Sequence, residues 1–483
     1  MAEQINQTAA PEEHVSPTGI RGFIAKFTVL KSARRELWLT FLIKLLIYTA
    51  YSITNKTLVL WLSKDLGFSD QGASALVGWV WAPAMTLFTL LAGSLTDAIG
   101  LRRTFFLGVT ICTFARSVMV LSTNPTVALV AGLLPLAIGE ALGTPVLLAA
   151  TRVYSTTAQR SISFSIIYAL MNVGYFVAGY VFDFVRNLDL HVNIAGFQPT
   201  SFEQLFAVSL ALEILLFPTI YFLRRQEERQ REMHPTIMAT VRASAKETID
   251  LFRRLLGQSA FYRLLGFFLF IGFLKAIFLQ MDYVFPKFGD REMGLHAPVG
   301  KLAGINAILI IFLAPLVGAL TQRIASYRMV IIGSIICAAG VFIMALPSDW
   351  FVAAANGAIG SALGHGYLQL SGTIHPYYIM SALYLTVFSI GEAFYSPRVY
   401  EYAASIAPPG QEASYSALAY IPFLFGKLLI GTSGWVLAAF CPEHGECRAG
   451  TLWLIFACAA SVAPVGLLLF RRWIQVPEAG RAD

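Results

Sequence analysis

The sequence predicts an all-α membrane protein of twelve transmembrane helices in two six-helix bundles. Three observations lead there. The 483 residues are 57% hydrophobic and only 13% charged, whereas a soluble domain is about 25% charged. Apolar runs of roughly 20 residues, the length that crosses a bilayer core, recur along the chain. One long polar stretch near the middle splits them six and six. This composition excludes a soluble enzyme, a disordered scaffold and a secreted disulfide module.

The runs fall in order. A polar tail, 1–36, has no apolar core and so no cleavable signal peptide. Spans follow near 37–62, 72–96, 104–122, 126–150, 162–185 and 203–223, forming an N-terminal bundle over 37–223. A linker, 224–261, carries Ile237, Val241, Ile249, Phe252 and Leu256 at roughly helical spacing among Arg and Lys. That pattern suits either an amphipathic helix on the membrane surface or a solvated linker. Spans near 262–284, 300–321, 328–346, 376–400, 414–439 and 450–470 form a C-terminal bundle over 262–472, before a short tail, 473–483.

The Ala- and Gly-rich residues 351–370 could make a thirteenth span. The distribution of Lys and Arg decides against it. With twelve spans and both termini cytoplasmic, inner segments hold 24 Lys and Arg and outer segments six, counting Arg263, Arg328, Arg398 and Lys301 at the span ends with their loops, as the positive-inside rule requires. Residues 347–375 are then an outer insertion, either re-entrant or a surface hairpin. The expected location is the cell (inner) membrane. The net charge of +7 is accounted for by inner loops and calls for no nucleic acid.

Of five cysteines, Cys112, Cys337 and Cys458 fall in spans and are expected to pack there. Cys441 and Cys447 flank a short outer loop and can pair as a disulfide in an oxidising compartment. A metal site with His444 would lack a complete ligand set, so no metal and no cofactor are expected.

One motif is specific. After the second span stands Gly93-Ser94-Leu95-Thr96-Asp97-Ala98-Ile99-Gly100-Leu101-Arg102-Arg103. It resembles the cytoplasmic signature of the major facilitator superfamily, Gly-x-x-x-Asp-x-x-Gly-x-Arg-Arg/Lys. Gly100 permits a sharp turn. Asp97 can pair with Arg102 or Arg103, or face a helix N-terminus in the other half. These residues form a candidate conformational gate. The matching place in the second half keeps Gly318 and Arg328 but has Gln322 at the acidic position.

Other stretches resemble the proton-dependent oligopeptide transporters of that superfamily. They are Leu66-Gly67-Phe68-Ser69-Asp70, Phe164 to Tyr168 with Asn172 and Gly174, Ile305-Asn306 with Leu313 to Leu316, and Gly391-Glu392-Ala393 with Ser396-Pro397 and Ala407-Pro408. Their order matches over most of the chain. The departures are equally definite. The family's first-helix Glu-x-x-Glu-Arg is absent, and the region reads Lys44-Leu45-Leu46-Ile47-Tyr48. The family's fourth-helix Lys is Thr144. The resemblance is to a divergent relative without the usual coupling residues.

Ionisable residues inside a span are costly and mark function by default. Ten are read as intramembrane: Lys44, Lys56, Arg116, Glu140, Asp183, Glu213, Lys275, Asp282, Glu392 and Lys427. At about 1.5 Å per residue, Glu140, Lys275 and Glu392 fall near the midplane. The resemblance implies that helices one, four, seven and ten line a cavity. Cations and carboxylates at one depth suit a solute bearing both charges, such as an amino acid or small peptide. Candidate substrate contacts are Lys44, Tyr48, Glu140, Tyr168, Asn172, Lys275, Gln280, Asn306 and Glu392. Pairing of the charged members with one another as a gate is the plainer alternative. Glu140 and Glu392 are the candidate proton carriers. Arg116 and Glu213, on helices three and six, are expected to form a structural ion pair. Asp183, Asp282, Lys56 and Lys427 lie nearer span ends and are expected to reach the interface.

The expected activity is secondary active or facilitative transport of a small polar organic solute by alternating access. The protein would act as a monomer in the bilayer, with protons as possible co-substrates and hence a symporter as one option. Alternatives are a transport-deficient receptor or structural protein, and an exporter of an unrelated metabolite or drug. No nucleophile–base pair or metal cluster at membrane depth supports an enzyme.

Overall fold

Polar residues cap several of the helices. Ser69 accepts a hydrogen bond from the Gly72 amide. Thr156 with Gln159, and Thr200 with Glu203, form reciprocal capping boxes that satisfy amides otherwise unpaired at a helix start. In the computed structural model these signals open long apolar helices. The structure describes residues 28–475, apart from position 123 and stretches within 189–197, 224–252, 322–323 and 406–420.

The first half contains α1 (Arg35–Lys64), then α2, which runs as Asp70–Ala75, a π-helical segment Leu76–Trp81 and Ala82–Ile99. It continues with α3 (Leu101–Leu121), α4 (Pro125–Tyr154), α5 (Thr157–Asn187) and α6 (Ser201–Tyr221). The second half contains α7 (Ser259–Tyr283), α8 (Val299–Leu320), α9 (Ser326–Ile343), α10 (Pro376–Ser405), α11 (Ile421–Phe440) and α12 (Ala449–Leu469). Among the described residues, eleven of these are long and apolar enough to cross a bilayer, α4 through a π-helical segment, Ala128–Leu133. The twelfth, α2, ends in an α-helical stretch, Ala82–Ile99, of 18 residues, as many as α9. The chain turns from α2 into α3 at Gly100, whose φ of 88° disfavours a side chain.

Alternating directions place Arg35, Gly100 and Ser259 on one face, called proximal, and Lys64, Asp70 and Val299 on the other, called distal. Large apolar side chains such as Leu320 and Leu469, each 75% exposed, point outward. An apolar belt of this kind faces lipid rather than water.

The segment 347–375 does not make a thirteenth crossing. It forms short turns, Ser348–Phe351, Val352–Asn356, Ala358–Gly360 and Ser361–Tyr367. These dock on the start of α8, where the Tyr367 hydroxyl donates to the Lys301 carbonyl at 2.8 Å. Cys441 and Cys447 are joined as a disulfide. Cys112 and Cys337 are buried, but Cys458 is exposed on the outside of α12, so it does not pack in the core as expected. The amphipathic linker helix falls mostly outside the described residues. Within it, 253–256 are helical, with Leu255 buried and Leu256 exposed.

Candidate substrate site and its closure

Lysines spaced along α1, α7 and α11 meet aromatic rings between the two halves. Lys44 Nζ lies 3.4 Å from the centroid of Tyr48, one turn further along the same helix. Lys275 lies over Phe278 at 5.7 Å, Tyr395 at 5.1 Å and Phe423 at 4.7 Å. Lys427 lies over Trp81 at 4.6 Å and Tyr51 at 6.0 Å. The rings touch in a chain: Tyr51 to Tyr48 at 6.0 Å, Tyr48 to Tyr175 at 6.0 Å, and Tyr175 to Phe278 at 6.5 Å. The lysines are buried while these four rings keep partial exposure. Partly exposed rings with buried lysines beside them outline a candidate cleft between the bundles.

Glu392 on α10 completes the set. It accepts a hydrogen bond from Asn306 Nδ2 at 3.0 Å, and Asn306 also donates to Ser389 at 2.9 Å. Glu392 lies within electrostatic reach of Lys275. The other predicted polar contacts are less available. Gln280 donates to Ser433 at 2.7 Å, and Asn172 donates to the Tyr168 carbonyl of its own helix at 3.0 Å.

Arg116 sits beside this cleft in a triad. It donates to Glu213 at 2.7 Å, to Glu140 at 2.8 Å and to Thr54 at 3.3 Å. The ion pair with Glu213 therefore has a second carboxylate that sequence spacing had placed among the cavity residues. Glu140 is held on Arg116 rather than facing Lys44.

Four charged residues expected to reach the interface do not. Lys56 and Asp282 meet at 2.5 Å between α1 and α7. Asp183, near the distal end of α5, accepts the Gly300 and Lys301 amides of α8 at 3.0 and 2.6 Å, as a carboxylate at a helix N-terminus does. Lys427 is buried between the halves. Lys56, Asp282 and Asp183 find their polar partners in the opposite bundle, and Lys427 meets the rings of Trp81 and Tyr51 there, which spacing on one chain segment cannot reveal.

These contacts belong to a larger distal closure. Asp70 at the head of α2 binds Lys287 at 2.7 Å and Arg291 at 2.9 Å, and Lys287 also donates to Ser63. Burial lowers the Lys287 pKa below the usual lysine range, against the pull of Asp70. Arg186 binds Asp290 at 2.6 Å. Backbones also touch. A Cβ on Gly78 would lie 2.3 Å from the Gly431 amide, and one on Gly179 would lie 2.3 Å from the Gly300 carbonyl. Small residues allow such close helix approach. Among the described residues, the ion pairs that join the halves all lie on the distal side. The conformation is closed distally.

The sequence profile of the Major Facilitator Superfamily matches residues 40–371, well over half of the chain. The chain belongs to the major facilitator superfamily. As a member it is a multi-pass membrane transporter of small solutes, not an enzyme. Among curated proteins, none matches the transporter in sequence. Its fold is similar to that of a POT family transporter crystallised with 5-aminolevulinic acid, at 15% identity and a TM-score of 0.69, covering 92% of this chain and 97% of that one. A peptide transporter POT in complex with sulfate gives a TM-score of 0.69 at 15% identity, with 93% and 98% covered. The nucleoside transporter NupG gives a TM-score of 0.64 at 15% identity, with 91% and 100% covered.

The gate motif of the transporter is partly in view. Gly100 makes its turn, and Arg102 lies over Phe106 at 5.7 Å and Tyr221 at 5.1 Å. The side chain of Asp97 lies outside the described residues. Sequence reasoning missed Tyr51 and Tyr175. The spacing of Tyr48 and Tyr51 on one face of α1 was the available signal.

Proposed function

We propose that this transporter carries small solutes bearing both an amino group and a carboxylate, namely amino acids or short peptides. One observation supports the reading above all: Lys44, Lys275 and Lys427 stand around one partly exposed aromatic cluster, with Glu392 beside it. Ammonium groups hold a carboxylate, Glu392 accepts an ammonium, and the rings bury the stem between them. The solved structure with 5-aminolevulinic acid, itself an amino acid, is consistent with this class.

Transport proceeds by alternating access. The distal closure opens as the proximal side shuts, and Asp97, Arg102 and Arg103 latch the proximal side. The proximal face is cytoplasmic, following the distribution of Lys and Arg, and the unit is a monomer in the inner membrane. In this reading Glu392 is the better-placed proton carrier, because its partner Asn306 is a neutral amide while Glu140 is committed to Arg116.

A thermal-shift screen of purified protein against amino acids, di- and tripeptides and unrelated metabolites, at two pH values, tests the solute class. Amino-bearing carboxylates should raise the melting temperature in wild type, and less in Glu392→Gln and Lys44→Ala. Stabilisation confined to nucleosides or uncharged compounds would contradict the reading.

A further inference from the structure

The charges of the cleft do not balance. Among the described residues, Lys44, Lys275 and Lys427 have no carboxylate within ion-pair distance, although each is buried. The carboxylates within their electrostatic reach make their hydrogen bonds to other groups, two of them to cations and Glu392 to a neutral amide. Glu140 binds Arg116 at 2.8 Å, Asp282 binds Lys56 at 2.5 Å and Glu392 accepts from Asn306 at 3.0 Å. At the depth of the cleft, Lys44, Arg116, Lys275 and Lys427 face Glu140, Glu213 and Glu392, four cations against three carboxylates. The triad on Arg116 keeps one negative charge in excess, which lies within reach of Lys427, and with Glu392 it leaves the three lysines of the aromatic cluster one positive charge in excess.

A buried ammonium without a counter-charge is expensive. An aromatic face offsets part of that cost and no more. A second group points the same way. The Tyr395 hydroxyl is buried without a hydrogen-bond partner, on the ring that lies 5.1 Å from Lys275. A hydroxyl beside an uncompensated ammonium is a donor set for a carboxylate oxygen.

We propose that the site selects solutes with net negative charge, with an acidic group beyond the one carboxylate and one ammonium of a neutral zwitterion. An acidic dipeptide or a dicarboxylic amino acid is the chemical class. The proposal rests on the reading above that this cleft is the solute site, and it deepens that reading by setting the charge of the solute. Glu392 takes the ammonium, while the lysines share two carboxylates across the aromatic cluster.

The test is a set of matched pairs whose members differ by one acid–amide exchange, measured by binding to the purified full-length transporter. The pairs are Ala-Glu with Ala-Gln, glutamate with glutamine, and succinate with succinamate. The acid should bind about tenfold or more tightly in each pair that binds, the scale of one charge-assisted contact. Lys427→Met should erase this preference while Lys427→Arg keeps it, which a purely packing role for Lys427 would not produce. Equal affinity within the pairs, or tighter binding of the amides, would overturn the charge selectivity and leave the amino-acid and peptide reading intact. Binding of succinate with neither peptides nor amino acids would keep the charge selectivity and overturn that reading. Failure of every compound to bind would overturn both.

Discussion

Lys56 on α1 and Asp282 on α7 meet at 2.5 Å, both buried, directly between the two halves of the transporter. Asn55 and Tyr283, their immediate neighbours, are hydrogen-bonded across the same seam. A buried pair of this kind contributes little net stability, but removing one partner leaves an uncompensated charge that costs about 3–5 kcal/mol.

Asp282→Asn should therefore release the distal seam. A cysteine placed at Ser74, which is buried against α11 and accepts from the Gly434 amide at 3.1 Å, should react faster with a water-soluble thiol reagent in that variant. The exchanged pair Lys56→Asp with Asp282→Lys should slow the reaction again. Unchanged reactivity in Asp282→Asn would mean that the pair does not hold the closure.

Backbone contact at the seam leaves no room for a methyl group. With a Cβ 2.3 Å from the Gly300 carbonyl, Gly179→Ala should cost roughly 1–3 kcal/mol as overpacking and bias the transporter toward its distally open state. Proteoliposome transport should fall while the protein still purifies folded. Gly366→Ala, where the nearest atom to an added Cβ is the Ser361 carbonyl oxygen at 3.9 Å, is the matched control and should leave transport unchanged.

The fold was legible in the sequence because lipid imposes a strong pattern: long apolar runs, a polar linker and a one-sided distribution of Lys and Arg. Residues 347–375 show the limit of hydropathy and the value of charge, since their apolar content suits a span and only the Lys and Arg distribution placed them on one face. The site was legible residue by residue but not in its partnerships. Lys44, Glu392 and Asn306 stood out as polar groups in apolar runs, and all three are buried. Glu140 also stood out, yet its partner Arg116 lies 24 positions away on a different helix. Lys56 and Asp282 are 226 positions apart, so their depth near span ends suggested the interface instead. Aromatic residues such as Tyr175 are ordinary in spans and gave no warning that they line a cleft.

The Arg116 triad should be stiff and expensive to break. Arg116→Leu leaves Glu140 and Glu213 buried with no cation, and should lower stability by about 3–5 kcal/mol. Replacing all three as Arg116→Met, Glu140→Gln and Glu213→Gln should restore much of the loss. Thermal unfolding in detergent, read by intrinsic fluorescence, compares the two. If the triple variant is no better than Arg116→Leu, the cost does not come from unpaired charge.

The motif after α2 separates binding from movement. Asp97→Asn should slow transport severalfold and leave solute affinity nearly intact, because the motif lies at the proximal face, away from the aromatic cluster. Calorimetry for affinity and liposome flux for rate distinguish the two. Abolished binding would place Asp97 at the solute site instead.

The most direct test is solute counterflow into proteoliposomes. Liposomes preloaded with an unlabelled amino acid or short peptide should transiently accumulate the labelled solute through the wild-type protein. Glu392→Gln and Lys44→Ala should each reduce that accumulation, with protein incorporation unchanged. If the wild type accumulates no amino-bearing carboxylate, or if both variants match it, the cleft between the halves is not the path such solutes take.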